Sequence, residues 1–237
     1  MSKLPQKPRL IARQPNAPPP PWAVDPDGLL KTRPGSIKAA LTGGIASGKS
    51  SVAELFVAFG AGRVDFDALS KKILAPDSPY LAAAAALFGP KAIKDGSLDR
   101  RYVGKKVFKD PKLRKALEDI VHPAVWSLML DELKSAESRG LTIIEVPLLY
   151  EAALDSLFEP VIVCFAKPET QLKRLRERNP ELGRFEARRR LKAQIPIFEK
   201  IRRANIVINN DDDLPRLIAS TRQAWEYLFP DKGVPVQ

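Results

Sequence analysis

The sequence predicts an α/β protein with a five-stranded parallel sheet covered by helices on both faces, and three observations carry that prediction. Short apolar runs alternate with longer stretches whose apolar residues recur at helical spacing. The first run, residues 37–41, leads into Gly43-Gly44-Ile45-Ala46-Ser47-Gly48-Lys49-Ser50, which fits G-x-x-x-x-G-K-[ST], and a helical stretch follows at once. The runs at 141–146 and 160–165 are apolar almost throughout, as expected of strands buried on both faces rather than one.

Taken in order, residues 1–36 read as an appendage. Pro18-Pro19-Pro20-Pro21 and further prolines at 5, 8, 15, 26 and 34 remove backbone donors, so polyproline II or disorder is expected. The first 24 residues carry Lys3, Lys7, Arg9 and Arg13 and no acid, a faint likeness to an organellar presequence. The proline density spoils an amphipathic helix, and the favoured reading is a cytoplasmic tail. The domain proper spans 37–229, with 230–237 as a short tail. Strand 37–41 leads through the glycine loop into a helix over 51–59, which Gly60-Ala61-Gly62 breaks. A second strand, 63–67, ends in Asp65 and Asp67 and gives way to a helix over 68–74. Helices are predicted over 78–88, 98–108 and 112–139, the last interrupted or kinked at Pro123. Strands at 141–146 and 160–165 are followed by basic helices over 169–178 and 185–203. The fifth strand is 205–208, and a helix over 214–228 closes the fold.

The glycine loop has a specific chemical meaning. Glycines let the backbone turn its N–H groups around a polyphosphate, and the helix N-terminus adds partial positive charge there. The expected ATP-binding residues are Gly43, Gly44, Ile45, Ala46, Ser47, Gly48, Lys49, Ser50 and Ser51. Lys49 would pair with the β and γ phosphates, and the Ser50 hydroxyl would join the shell of a Mg²⁺ ion that accompanies the ATP. Because ligands bind at the carboxyl ends of the strands in such sheets, Asp65 and Asp67 should face the nucleotide. On an extended segment, carboxylates two residues apart point to the same side. One of them can accept a hydroxyl proton during phosphoryl transfer while its neighbour orients water or substrate. Spacing alone leaves a second reading open for Asp67, that it caps the helix after it. Glu145 likewise reads either as a metal-facing acid or as an ordinary strand-end residue.

Composition narrows the partners. The formal net charge of +11 calls for anions, and 13 Lys/Arg against 5 Asp/Glu fall between residues 167 and 203, a net of +8 in one helical region. Arg178, Arg184, Arg188 and Arg190 could close over a triphosphate there, with Asn179-Pro180 and Gly183 as hinge. A single cysteine, Cys164, excludes a disulfide framework and lies in an apolar run as a structural thiol. One histidine, His122, and one cysteine cannot build the usual zinc site, and no apolar run is long enough to span a membrane. His122-Pro123 by itself reads as a helix-kink feature. The basic face lacks interleaved aromatics, which disfavours nucleic-acid binding.

Several segments together resemble the dephospho-coenzyme A kinase family. They are Leu41-Thr42 with the glycine loop, Val64-Asp65-Phe66-Asp67, His122-Pro123, Val146-Pro147-Leu148-Leu149-Tyr150-Glu151, Thr170-Gln171-Leu172-Lys173-Arg174, Arg190-Leu191-Lys192-Ala193-Gln194 and Asn205-Ile206-Val207-Ile208-Asn209-Asn210. The resemblance implies a P-loop NTPase three-layer fold with a helical substrate lobe over 75–140 and a lid over 174–195. It implies transfer of the ATP γ-phosphate to the ribose 3′-hydroxyl of dephospho-coenzyme A, with Mg²⁺, in the cytoplasm, and with no nucleic acid or membrane partner. Asp67 matches the family's proposed base, with Lys49 and Arg184 as further catalytic residues. Asp65, His122, Pro147, Leu148 and Leu149 would bind the acceptor, and Arg174, Arg178, Arg188 and Arg190 would belong to the lid. Ala46 stands where glycine is more usual, a mild change if its φ stays negative. Another P-loop kinase acting on a nucleotide or small metabolite would share all of this except the acceptor lobe.

Overall fold

The computed structural model describes residues 18–32, 35–136 and 140–229. The expectations for residues 1–17 and for the tail at 230–237 lie outside the described residues.

Five parallel strands form the central sheet: β1 (Ile37–Gly43), β2 (Gly62–Asp65), β5 (Leu141–Glu145), β6 (Val161–Phe165) and β7 (Ile206–Asn209), in the spatial order β2-β5-β1-β6-β7. The glycine-loop strand β1 is central because its residues 39–41 are wholly apolar and fully buried, with neighbours on both sides. Alternate residues of each strand feed opposite layers, as the pleat requires. Ala40, Val64, Ile144, Val163 and Phe165 face one core with Leu69, Trp126, Met129 and Leu133. Ala39, Leu41, Ile143, Ile162 and Ile208 face the other with Val52, Phe56, Leu217 and Trp225. The second layer is made by α1 (Lys49–Ala58) and α9 (Leu214–Leu228). The first is made by α2 (Phe66–Ile73) and α5 (Pro111–Ala136).

The helical lobe comprises α3 (Pro79–Phe88), α4 (Arg100–Lys109) and the start of α5 around a small core of Phe88, Ala92 and Val103. It holds one hairpin absent from the sequence reading, β3 (Ile93–Lys94) with β4 (Ser97–Leu98). Asp95 and Gly96 connect them with φ of 52° and 75°, the two positive values of a type I′ turn. Leu98, assigned above to a helix, therefore belongs to a strand. The Asp-Gly pair was the available signal.

Three boundaries also differ from expectation. Strand β2 ends at Asp65, and Asp67 lies in the first turn of α2. Pro123 does not end α5, which continues as one helix on both sides of it. Tertiary burial of Val121, Val125, Trp126 and Met129 outweighs the one hydrogen bond that proline removes. The stretch read as a single helix over 185–203 is two, α7 (Arg184–Lys192) and α8 (Ile197–Arg202), because Pro196 cannot continue the first.

Residues 18–32 form a strap packed on α5 rather than an appendage. Asp25 caps the turn that follows, its carboxylate accepting from the N–H groups of Leu29 (2.7 Å) and Leu30 (2.9 Å). Ala23, Leu29 and Leu30 are buried, and Trp22 packs over Trp126 and His122. The prolines block regular structure without preventing burial.

Candidate active site

The glycine loop joins β1 to α1 at the carboxyl edge of the sheet, the place expected for a phosphate. Two of its glycines are forced. A Cβ on Gly43 would meet the Cys164 carbonyl at 2.7 Å. Gly48 adopts φ +89°, and a Cβ there would meet Asn210 Nδ2 at 1.9 Å. Ala46 also takes a positive φ, +55°, so the proviso of a negative angle fails and its methyl group is held in a disfavoured region. The Ser47 carbonyl anchors the loop from below, accepting from Asn210 Nδ2 at 2.7 Å and from the Cys164 thiol at 3.2 Å. Burial pushes the Cys164 thiol up to about 12, so it stays protonated and serves as a donor.

Beside the loop lies a cluster of charges. Glu145 ends β5, is fully buried, and binds two cations: Lys49 Nζ at 2.8 Å and the Arg63 guanidinium at 2.6 Å. Arg63 also reaches Asp65 at 3.4 Å. Strand register makes this possible, since both Leu41 and Asp65 pair with Glu145 across the sheet. Of the two readings of Glu145, the structure thus gives a third, the counter-ion that holds the loop lysine. A carboxylate in that position orients Lys49 along the site and keeps Arg63 folded over the strand end.

Asp65 and Asp67 divide differently from the extended-strand expectation. Asp65 is the N-cap of α2, accepting from the N–H groups of Asp67 (2.8 Å) and Ala68 (3.2 Å). Asp67 stands one residue inside the helix, exposed at the rim of the site. Crowding by surrounding protein raises its carboxyl above the ordinary value, Asp65 and Glu145 adding to the rise and Lys49 opposing it. The capping role proposed for Asp67 therefore falls to Asp65, and Asp67 is left facing solvent.

The remaining predicted residues separate. Ser50 is exposed in the first turn of α1, directly after Lys49, and Ser51 follows it within the helix. Thr42 Oγ1 donates to the Pro147 carbonyl at 3.2 Å, which draws that turn toward the loop. Leu148 is exposed, but Leu149 is wholly buried in the core and offers no surface to an acceptor. His122 is half-buried in α5 with its ring 5.2 Å from that of Trp22, and burial lowers its pKa while Glu118 and Asp119 oppose that. It touches the strap, which the sequence reading did not foresee. Arg174 leaves the lid group as well. On α6 (Pro168–Arg178), its guanidinium donates to the Asn210 carbonyl at 2.8 Å and so supports the loop from beneath. Arg178 is exposed at the end of α6, and Arg190 pairs within α7 with Glu186 at 3.4 Å. Arg184 and Arg188 line an open cleft of about 610 Å³ between α6 and α7, with Lys173, Arg176, Glu169 and Glu177.

Asn210, Gln194 and Arg63 are loop-supporting residues that the sequence reading did not assign. Gln194 Oε1 accepts the Ile45 N–H at 2.8 Å. Asn210 follows the last strand at the carboxyl edge, and both it and Gln194 lie in segments that carry the family resemblance. Arg63 had none, since its partner Glu145 is distant in sequence.

Among the described residues no cluster of three or more His, Cys, Asp or Glu could hold a metal by itself. Exposed Ser50 after the loop lysine fits Mg²⁺ delivered on nucleotide phosphates, which needs few protein ligands.

A phosphate loop at the edge of a parallel sheet, a rim carboxylate beside the loop lysine, and a basic helical pair define a P-loop kinase for a small hydroxyl-bearing acceptor. The dephospho-CoA kinase family profile matches residues 37–216. The dephospho-CoA kinase of Anaeromyxobacter dehalogenans is 44% identical over 173 residues, 72% of this chain and 82% of its own length. That of Staphylococcus haemolyticus is 41% identical over 195 residues, 81% of this chain and 94% of its own. The solved dephospho-CoA kinase of Campylobacter jejuni superposes with a TM-score of 0.61 at 27% identity, over 82% of this chain and 98% of its own. A solved protein of Thermus thermophilus reaches 0.72 at 34% identity over the same shares. The chain belongs to the dephospho-CoA kinase family.

Proposed function

We propose that this chain carries out the family reaction with Asp67 as the proton acceptor and Lys49 as the phosphate-binding cation. It is an ATP-dependent kinase that transfers the γ-phosphate to the ribose 3′-hydroxyl of dephospho-CoA, the last step of coenzyme A biosynthesis. The observation that carries the assignment is the placement of Asp67, exposed in the first turn of α2, with its charge felt by Lys49 and Glu145. The acceptor hydroxyl binds at this rim and gives its proton to the Asp67 carboxylate. Its oxygen attacks the γ-phosphorus, the bond from that phosphorus to the β–γ bridging oxygen breaks, and ADP leaves. Loop N–H groups and Lys49 hold the β and γ phosphates in line. Mg²⁺, when bound, neutralises phosphate charge, and Ser50 would help hold it.

The helical lobe of α3, α4 and the start of α5 serves as the acceptor-binding part, with Leu148 at its entrance. Arg184 and Arg188 on α7 act as the lid cations, since Arg174 and Arg190 are already engaged. We place the reaction in the cytoplasm. No helix among the described residues is long and apolar enough to cross a membrane.

The test is ADP release from Mg-ATP with dephospho-CoA, beside nucleoside monophosphates and adenosine. Turnover confined to dephospho-CoA is expected, and turnover on another acceptor alone would keep the kinase and overturn the substrate. Lys49→Ala should abolish activity. Asp67→Asn should lower kcat by about 10²–10⁴-fold with KM for ATP little changed. A near-normal kcat in Asp67→Asn would move the proton acceptor elsewhere.

A further inference from the structure

Against the first carbonyl of the glycine loop lies a buried cation to which the proposed reaction assigns no role. Lys200, on α8, has a fully buried side chain. Its Nζ lies 2.8 Å from Glu151 Oε1 and donates to the Gly43 carbonyl at 3.2 Å. The same Glu151 oxygen accepts the Ile195 N–H at 3.0 Å, and the other, Oε2, has no hydrogen-bond partner among the described residues. Six residues before Lys200 in the same connection, Gln194 accepts the Ile45 N–H.

An ion pair retained for stability alone is expected to satisfy both carboxylate oxygens, because desolvation of two charges consumes most of their attraction. Here one oxygen is left over, while the ammonium spends a hydrogen bond on the first carbonyl of the loop. Burial lowers the Lys200 pKa, with Arg203 adding to the effect, and Glu151 holds it up. Gln194 and Ile195 belong to the segment that leaves α7, and Lys200 sits one turn into α8. Two contacts therefore tie the segment after the lid helix to the loop, Gln194 to Ile45 and Lys200 to Gly43, and Glu151 joins Ile195 to Lys200.

We propose that Lys200 is a positioning residue for ATP. With Glu151 and Gln194 it fixes the entry of the phosphate loop to the foot of α7, so that the loop N–H groups keep the orientation the phosphates need. The inference rests on the kinase reading for its purpose, and its test is made on ATP binding, which does not depend on the acceptor.

Affinity for Mg-ATP is measured by titration calorimetry, with steady-state kinetics and thermal unfolding alongside, on the full chain. Lys200→Met leaves the half-buried Glu151 carboxylate without its cation, so both stability and ATP affinity should fall. The double variant Lys200→Met with Glu151→Gln removes the uncompensated charge, and its unfolding midpoint should return toward wild type. Its ATP dissociation constant should stay raised by about tenfold, as loss of a hydrogen bond from a charged group implies, with KM for dephospho-CoA within about twofold. Gln194→Met, at a half-buried position with no charge to strand, should raise the ATP dissociation constant about threefold with an unchanged midpoint. Recovery of ATP affinity together with stability in the double variant would show a purely structural pair and overturn the proposal. So would wild-type ATP affinity in Gln194→Met, which reads the proposal even if the Lys200 variants do not fold. Absence of wild-type turnover with dephospho-CoA would instead count against the substrate, leaving the ATP result to stand.

Discussion

Ala46 holds φ +55° in the phosphate loop, where a side chain is disfavoured by about 1–2 kcal/mol. Glycine would relieve that and lose about 0.5–1 kcal/mol through greater freedom of the unfolded chain. The Ala46 methyl also packs beside Leu175, Leu182 and Ala187. Ala46→Gly should therefore stabilise the protein slightly, by no more than about 1 kcal/mol in urea unfolding. A loss of stability would mean that the methyl contact outweighs the backbone strain. At Asp67 the raised pKa has a kinetic sign. The carboxylate must be ionised to accept a proton, so kcat/KM should fall with acidity through a pKa above the ordinary 3.8. Lys49 restrains the rise and Asp65 enlarges it, so Asp65→Asn should move this acid limb to lower pH. An unmoved limb would remove Asp67 from the profile. The loop motif, Lys49 and the Asp-x-Asp were readable because each is a local pattern. The division of labour between Asp65 and Asp67 was not, because it depends on where the strand stops and the helix begins.

The helices α6 and α7 were read together as one basic lid, and the structure separates their roles. Arg174 on α6 is bound to the Asn210 carbonyl beneath the loop, whereas Arg184 on α7 lines the open cleft. Arg174→Ala should lower stability by about 1.5–3 kcal/mol, the usual range for a hydrogen bond from a charged group. Arg184→Ala should leave unfolding unchanged and lower kcat. The reverse pattern would return Arg174 to the lid and make Arg184 an ordinary surface residue. Helical periodicity found both elements, since Leu172, Leu175 and Ala187 mark their inner faces. It could not say which arginine turns inward, because charge on a helix surface is assigned by whatever packs across from it. Pro123 and Pro196 make the same point: the first lies within a helix held by core contacts, and the second divides two helices.

For the whole molecule, the strap over residues 18–32 joins parts that are far apart in the chain. Trp126 Nε1 donates to the Val24 carbonyl at 2.6 Å, Thr32 to that of Glu159 at 2.5 Å, and Asp27 pairs with Lys134 at 3.1 Å. Trp126 also packs edge-on to Phe66, the residue between Asp65 and Asp67. Removing residues 1–32 exposes the strap's contact surface on α5 and loses the burial of Leu29 and Leu30. Stability should fall by about 2–4 kcal/mol, on the usual worth of such side chains and one buried hydrogen bond, in denaturant unfolding of the shortened chain. An unchanged midpoint would show that the strap rests on the domain without supporting it.

By itself the sequence determined the parallel α/β sheet, the place of the phosphate loop, the kinase chemistry and the family. These follow from short-range patterns: a glycine spacing, apolar runs, and acids at a strand end. Tertiary structure alone decided which charges meet. Glu145 holds Lys49 because β5 lies beside β1, and Lys200 reaches Gly43 across 157 residues of chain. It also decided that Ala23, Leu29 and Leu30 of a proline-rich segment are buried and that Leu149 is core. The reason is physical: burial and ion pairing are set by which surfaces face each other, and no local pattern of residue types records that.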